Sequence, residues 1–201
     1  MLAMLRPACT LLVLFTLLTG IAYPLAMTGL AQVLMPAAAN GSLIARDGKV
    51  VGSLLVGQAF SDARYFHARP SATSSTDPND ETKTVDAPYN GAGSSGSNLG
   101  PLSRKLIDRV AADVERLRGA GGGAVPGDAV TTSASGLDPH ISPAYALLQV
   151  ERVAKARQLP IDRVQRIIMD VSERPFLGII GEPRVNVLLL NLALDRSTGP
   201  A

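Results

Sequence analysis

Charged and apolar positions divide this chain into two parts. Residues 7–45 contain no Asp, Glu, Lys or Arg, and residues 9–35 are mostly Leu, Ala, Val, Met, Ile and Phe. A bilayer core about 30 Å thick needs roughly 20 apolar residues of helix, because no water is there to satisfy backbone polar groups. The pattern predicts a single membrane-anchor helix within residues 1–36, with the span at about 9–31. Pro24 is compatible with this helix, since membrane helices tolerate proline when the freed carbonyl finds another partner.

A cleaved signal peptide is the alternative interpretation of the same segment. Arg6 would be its charged start, residues 11–18 its apolar centre and residues 37–39 (AAA) its cleavage site. Apolar centres of signal peptides usually run for about 7–15 residues. Here the apolar character continues to Leu34, which favours an uncleaved anchor.

The basic residues that flank the anchor predict its orientation. Arg6 favours an N-terminus in the cytoplasm, whereas Arg46 and Lys49 follow the apolar segment on the other side and reduce the charge bias. A short head before a long apolar run resembles a signal-anchor. We therefore expect the C-terminal domain to lie outside the cytoplasm.

The rest of the chain, residues 41–196, predicts one α+β domain. Asp47-Gly48 supplies the positive φ angles of a tight hairpin turn. The stripe of apolar residues from Leu102 to Leu117 recurs every three or four positions, as on one face of a helix. The predicted elements are a hairpin of 42–45 and 49–56, helices over 101–118, 142–157 and from 161 to 169 or 171, and a strand over 185–190 that continues towards 194. The first and last strands are candidates for one shared sheet.

Residues 71–100 form a polar segment rich in Ser, Thr, Asn, Asp and Gly. A loop of this length is uncommon inside a compact domain and is usually functional or mobile. We expect it to be exposed.

Composition excludes several classes of function. The net charge of +2 is too small to indicate nucleic-acid binding, and aromatic residues make up only 4% of the chain, with no Trp to stack on bases. The only cysteine, Cys9, lies in the membrane segment. The predicted domain therefore has neither a disulfide nor a thiol nucleophile.

No motif in the chain predicts catalysis or a metal site. Residues 91–96 match GxGxxG, but they lack the preceding strand and following helix that dinucleotide binding requires. His67 and His140, the only histidines, have no His or Cys neighbour in sequence. Residues 133–136 (SASG) lack the first Gly of the GxSxG hydrolase motif.

Gln149 and Arg152 are the candidate binding residues. They stand three positions apart in a predicted helix and so share a face, where they would contact a polar ligand or a partner. From spacing alone, two solvated polar residues are the simpler interpretation.

Several blocks of sequence together resemble one known family. These are residues 52–58 (GSLLVGQ), 69–72 (RPSA), 96–101 (GSNLGP), 133–144 (SASGLDPHISPA), 183–188 (PRVNVL) and 190–195 (LNLALD), with Gln149 and Arg152 between them. The chain resembles the C subunit of the Kdp potassium-transporting ATPase, and the likeness extends from the membrane segment to Asp195. The block at 133–144 is long and unusual in composition, so the resemblance is specific.

The resemblance implies a non-catalytic accessory subunit of an ATP-driven, high-affinity potassium importer in the bacterial inner membrane. Its partners would be the potassium-translocating subunit, the P-type ATPase subunit and a small single-helix subunit, together with the lipid bilayer. The family is described as a catalytic chaperone that raises the ATP affinity of the ATPase subunit. Its proposed nucleotide contact, a QxxR pair, falls on Gln149 and Arg152. No covalently bound cofactor is implied, and ATP would enter through the ATPase subunit.

This implied ATP contact conflicts with the predicted orientation, because ATP is cytoplasmic whereas the domain is expected to be periplasmic. Whether the ATP effect is direct or indirect stays open at this point. The alternatives are a periplasmic domain that guides potassium to the translocating subunit, an independent anchored ligand-binding protein, and a secreted hydrolase released by signal cleavage.

Overall fold

The structure is a computed structural model that describes residues 2–121 and 123–198. It divides into two compact units, Met1–Val51 and Gly52–Ala201. The helices are α1 (Leu2–Leu17), α2 (Tyr23–Leu34), α3 (Pro36–Ala39), α4 (Arg104–Gly121), α5 (Pro143–Leu148), α6 (Val150–Arg157), α7 (Ile161–Val171) and α8 (Val187–Thr198). The strands are β1 (Leu43–Arg46), β2 (Lys49–Ser53), β3 (Ser74–Asp77), β4 (Asp80–Asp86), β5 (His140–Ile141), β6 (Ser172–Glu173) and β7 (Arg184–Asn186).

The N-terminal unit contains the predicted anchor helix. Among the described residues, one helical run, Ala3–Leu34, is long and apolar enough to cross a membrane. A π-helical turn, Leu18–Ala22, joins α1 to α2 directly before Pro24, and the Tyr23 N–H bonds to the Leu18 carbonyl. The wider turn accommodates the proline, which has no N–H to give to the preceding turn and whose ring crowds it. The predicted N-terminal helix and the α+β class are both confirmed.

The hairpin of β1 and β2 turns at Asp47 and Gly48, whose φ angles are +51° and +75°. Positive φ at both central residues matches the right-handed twist of the strands, as the sequence predicts. The second strand ends at Ser53 instead of continuing to Val56. The expected shared sheet is wrong, because β1 pairs with β2 while β7 lies between β5 and β6.

The C-terminal unit packs helices α5–α8 with the sheet β5-β7-β6 around one apolar core. Val153, Val164, Val185, Leu190 and Leu194 are all fully buried in it. The side chain of Phe66, from an irregular segment, is also fully buried there. The core therefore includes a stretch of chain that belongs to no helix or strand.

Helix boundaries differ from the predicted ones at three places. Helix α4 begins at Arg104 and extends to Gly121, past the predicted end at Gly119. The cap at Ser142 is confirmed, since its Oγ accepts the Tyr145 N–H. The helix predicted over 142–157 is interrupted at Gln149, which separates α5 from α6, and Leu147 points outward with 49% of its surface exposed.

The strand predicted over 185–190 is wrong beyond Asn186, where helix α8 begins. Asn186 Oδ1 accepts the Leu189 N–H and so satisfies one of the free donors of the helix start. Leu190, Asn191 and Leu194 are buried at helical spacing. A run of leucines preceded by β-branched residues is ambiguous between strand and helix in sequence, and packing against α7 decides it in favour of helix.

The polar segment predicted as a loop over 71–100 contains the antiparallel hairpin of β3 and β4, with Ser74 opposite Asp86. Most residues of the hairpin are exposed. The flanks, however, bond to the 133–138 segment. Ser71 Oγ donates to the Gly136 carbonyl at 2.7 Å, and the Ser95 N–H donates to the Ser135 carbonyl at 3.0 Å.

Candidate functional site

Gln149 is a buried amide, 5% exposed, at the junction of α5 and α6. Its Oε1 accepts the His67 N–H at 2.8 Å and an Arg152 Nη2–H at 2.7 Å. Its Nε2 donates to the carbonyls of His67 at 3.1 Å and Tyr145 at 3.4 Å. A glutamine amide has two acceptor and two donor positions, so the protein itself occupies all four.

Arg152 completes this arrangement from the same helix face, as the spacing predicts. Its Nη1 donates to the carbonyls of Ala63 at 2.7 Å and Tyr65 at 3.0 Å. Burial lowers the pKa of the Arg152 guanidinium from its ordinary value. The two predicted site residues therefore come together, and both bind the backbone of the 60–67 segment. Their prediction as nucleotide contacts stays a prediction.

Asn191 on α8 binds the same segment and was not predicted from the sequence. Its Oδ1 accepts the Phe66 N–H at 2.8 Å and its Nδ2 donates to the Phe66 carbonyl at 3.0 Å. Gln149 and Asn191 thus bind the N–H and C=O of two consecutive residues, as neighbouring strands would in a sheet. One feature of the sequence could have indicated this role: Asn191 is an amide inside the apolar run 187–194. A polar side chain that is buried with such a run requires a hydrogen-bonding partner.

A fourth side chain that binds this segment is that of Arg157, the last residue of α6. Its Nε donates to the Arg64 carbonyl at 2.6 Å, and its Nη2 pairs with Asp195 Oδ1 at 2.8 Å. The guanidinium carbon lies 4.8 Å from the centre of the Tyr65 ring, within range of a cation–π contact. Gln149 and side chains of α6 and α8 therefore hydrogen-bond to the backbone of every residue from 63 to 67.

Arg69 and Asp138 form a second polar centre in the same unit. The Arg69 Nη1 and Asp138 Oδ2 atoms are 2.9 Å apart. Burial disfavours the charged carboxylate, but hydrogen bonds from His140 and Arg69 outweigh it and lower the pKa of Asp138 to about 2. Asp138 is therefore ionised at any physiological pH, and it joins the start of β5, through the His140 N–H, to Arg69, which precedes Pro70.

Arg69 and Asp138 both contribute to the lining of two clefts, each of about 570 Å³. One is polar and includes Asp128, His140 and Arg184, and the other is lined by residues 132–135 with Leu55 and Val56. Asp128 is already engaged, because its carboxylate accepts from the N–H and Oγ of Ser142. Within residues 2–121 and 123–198, no group of three His, Cys, Asp or Glu side chains is placed to hold a metal ion.

The GxGxxG match at residues 91–96 has a structural explanation. Residues 91–96 lie in the irregular stretch between β4 and α4, without the strand and helix of a dinucleotide site. A Cβ added at Gly96 would approach the Ala134 carbonyl oxygen to 2.8 Å, so this glycine permits close packing of two backbones.

Burial and the nearby Arg152 lower the pKa of His67, which favours a neutral ring.

Comparison with known proteins gives a consistent result. The sequence model of the KdpC family, described as K+-transporting ATPase, c chain, matches residues 5–196. The potassium-transporting ATPase KdpC subunit of Methylobacterium nodulans is 62% identical over 200 residues, which cover 99% of this chain and 100% of the relative. The subunit of the same name from Bradyrhizobium diazoefficiens is 60% identical over 98% of this chain and 98% of the relative. That from Rhodopseudomonas palustris is also 60% identical, over 97% of this chain and 98% of the relative.

Proposed function

The chain belongs to the KdpC family of K+-transporting ATPase c chains, and from this premise we propose that it is a membrane-anchored, non-catalytic accessory subunit of an ATP-driven potassium importer. The observation that carries the non-catalytic role is that three buried or half-buried polar side chains of the domain bind within the domain itself. Gln149, Arg152 and Asn191 all bind backbone of their own chain. They build a rigid domain instead of presenting groups to a substrate.

We propose that the partners are the potassium-translocating subunit, the P-type ATPase subunit and the small single-helix subunit of the Kdp complex. The helix Ala3–Leu34 supports assembly within the membrane. A Cβ added at Gly20 or Gly29 would meet nothing within 4 Å. Small residues of this kind let a second helix approach closely in lipid.

We propose further that the domain is periplasmic, and thiol labelling tests this. The expected result is that Asn79→Cys, in the exposed turn between β3 and β4, reacts with a membrane-impermeant maleimide in cells whose outer membrane has been permeabilised. The matched control is Met4→Cys, at an exposed position near the N-terminus, which should react only after lysis. Both variants carry Cys9→Ser, since Cys9 is a free thiol. The reverse pattern of labelling would place the domain in the cytoplasm.

A periplasmic domain acts on ATP affinity only indirectly, through the ATPase subunit. The Gln149 amide has all four of its hydrogen-bonding positions occupied, and this supports the indirect route. In this proposal Gln149 and Arg152 are positioning residues that hold the 60–67 segment. The two alternative functions, a periplasmic domain that guides potassium to the translocating subunit and an independent ligand-binding protein, stay predictions.

Gln149→Met separates the direct and indirect routes. We expect less assembled complex, because the His67 backbone loses its partners, while the KM for ATP of the complex that does assemble changes by less than about twofold. A direct contact predicts a rise in KM of roughly tenfold or more at unchanged assembly, given that a hydrogen bond to a charged group contributes about 1.5–3 kcal/mol. Gln165→Met, at a partly exposed position on α7, is the control and should change neither quantity.

A further inference from the structure

Arg109 on α4 has a guanidinium group with an unmet hydrogen-bonding requirement. Its Nη2 nitrogen is buried, and no group within residues 2–121 and 123–198 accepts a hydrogen bond from it. The guanidinium of arginine stays protonated in proteins. A buried N–H without an acceptor destabilises the folded state, and the cost is larger when the group is charged. The contacts of the domain therefore do not account for an arginine at this position, whereas a ligand that supplies an acceptor does.

Arg109 borders a cleft of about 450 Å³ between α4 and the segment around Pro70. This volume lies within the range of small-molecule sites. Phe60, Pro70 and Pro88 contribute apolar surface to the lining, and Asp113 lines it from the next turn of α4. An apolar lining with a few charged groups is the usual composition of a ligand pocket. The unpartnered guanidinium therefore lies beside a space that is large enough to hold a ligand.

The other charged groups around the cleft are already compensated. Asp113 Oδ1 accepts a hydrogen bond from Arg116 Nη2 at 3.0 Å. Arg69 is paired with Asp138 at 2.9 Å. Burial lowers the pKa of His67 and keeps its ring neutral. The cleft is therefore left with one uncompensated positive charge, which selects an anion.

The hydroxyl groups of the cleft are engaged as well. Ser71 Oγ donates to the Gly136 carbonyl at 2.7 Å, and Tyr89 Oη donates to the Arg69 carbonyl at 2.7 Å. A phosphate group is ordinarily held by several cations or free N–H groups, and here a single guanidinium is available. One planar guanidinium matches one carboxylate, which it binds through two parallel hydrogen bonds.

We propose that this cleft binds a carboxylate group and that Arg109 is its counter-ion. The apolar part of the lining favours a carboxylate carried on a hydrocarbon chain. Two sources have this chemistry, an organic acid in solution and an acidic side chain of another subunit. Binding of an organic acid does not depend on the proposed function, whereas binding of a subunit's side chain rests on it.

Calorimetric titration of the full chain in detergent with hexanoate tests the first source. We expect saturable binding to the unaltered chain and at least about tenfold weaker binding to Arg109→Met, which keeps an unbranched side chain but has no N–H group. Hexanamide, which has the same hydrocarbon chain without the charge, and inorganic phosphate should each bind at least about tenfold more weakly than hexanoate. Arg118→Met alters an exposed arginine of the same helix and is the matched control, with unchanged binding expected.

Copurification through a tag on the ATPase subunit tests the second source. If another subunit supplies the carboxylate, Arg109→Met should reduce the amount of copurified chain at least about tenfold, as for the loss of a central arginine in an interface. Arg118→Met should copurify normally.

Thermal unfolding of the full chain in detergent distinguishes this role from a structural one. Without ligand, Arg109→Met should unfold at the same temperature as the unaltered chain or at a higher one, because the substitution removes a buried charge that has no partner. If Arg109 instead stabilised the fold, the variant would unfold at a lower temperature.

Hexanoate binding that requires Arg109 supports the proposal, as does a loss of copurification that requires Arg109 at unchanged stability, and the two results identify different sources. The proposal is overturned if neither result is obtained, if phosphate binds more tightly than hexanoate, or if Arg109→Met destabilises the chain. If the unaltered chain itself fails to copurify with any subunit, the proposed function fails, and the titration with hexanoate still decides whether the cleft binds a carboxylate.

Discussion

Replacing Asn191 with leucine is expected to lower the free energy of unfolding by about 2–5 kcal/mol, since two buried backbone groups lose their partner at once. The Asn191 amide bonds to both the N–H and the C=O of Phe66. Phe66 is fully buried and Asn191 is 2% exposed, so water does not replace the lost bonds. Leucine has the same branched side chain of four heavy atoms as asparagine but carries bulkier methyl groups, so the substitution leaves no cavity, and the loss reports the missing hydrogen bonds together with crowding by the methyl groups.

Denaturant unfolding of the full chain in detergent measures this change. Asn79→Leu, in the exposed turn between β3 and β4, is the control and should alter stability by less than about 0.5 kcal/mol. Equal stability of the two variants would mean that Asn191 does not hold Phe66 in place. Since a whole domain is stable by only about 5–15 kcal/mol, we also expect Asn191→Leu to reduce the amount of assembled complex.

Gly136→Ala is the second substitution with a large expected effect, a loss of roughly 2–5 kcal/mol from two additive causes. Gly136 has a φ of +68°, which alanine adopts only with strain. In addition, a Cβ would lie 2.5 Å from Thr73 Cγ2 and 2.6 Å from the Ser95 carbonyl oxygen. The backbone oxygen has no rotamer by which to avoid the methyl group. We expect the flanks of the β3–β4 hairpin to separate from the 133–138 segment.

Alanine substitutions at two other glycines separate the cost of a positive φ from the cost of the close contact. Gly181→Ala has the positive φ, +90°, but meets nothing within 4 Å, and should cost about 1–2 kcal/mol. Gly127→Ala meets nothing within 4 Å and its φ lies outside the left-handed region, so it should be nearly neutral. The measurements are denaturant unfolding and the rate of proteolysis within 71–100. A Gly136→Ala loss no larger than that of Gly181→Ala would show that the close contact with Ser95 yields without cost.

These two substitutions probe the parts of the domain that local sequence signals did not predict. Both Asn191 and Gly136 act on residues far away in the chain, Phe66 in one case and Thr73 with Ser95 in the other. Neither residue type is informative by itself, since asparagine and glycine are also common in turns. Their roles follow from the segment that each one meets after folding.

Local interactions explain what was predictable from the amino-acid sequence alone. The N-terminal apolar helix followed from the charge-free residues 7–45, the β1–β2 hairpin from Asp47-Gly48, helix α4 from its apolar stripe and the start of α5 from Ser142-Pro143. Each of these elements depends on residues within a few positions of one another. The same is true of Gln149 and Arg152, whose three-residue spacing placed them on one face. The family resemblance lay in the sequence as well.

Tertiary structure decided the elements whose hydrogen bonds come from distant residues. Helix α8 displaced a predicted strand because Asn186 caps it and its buried face packs against α7. The 60–67 segment has a defined place because Gln149, Arg152 and Asn191 bind its backbone. A single sequence shows that such polar side chains are present, but their partners become neighbours only when the core closes. That Gln149 and Arg152 bind the backbone of the 60–67 segment was therefore decided by the tertiary structure.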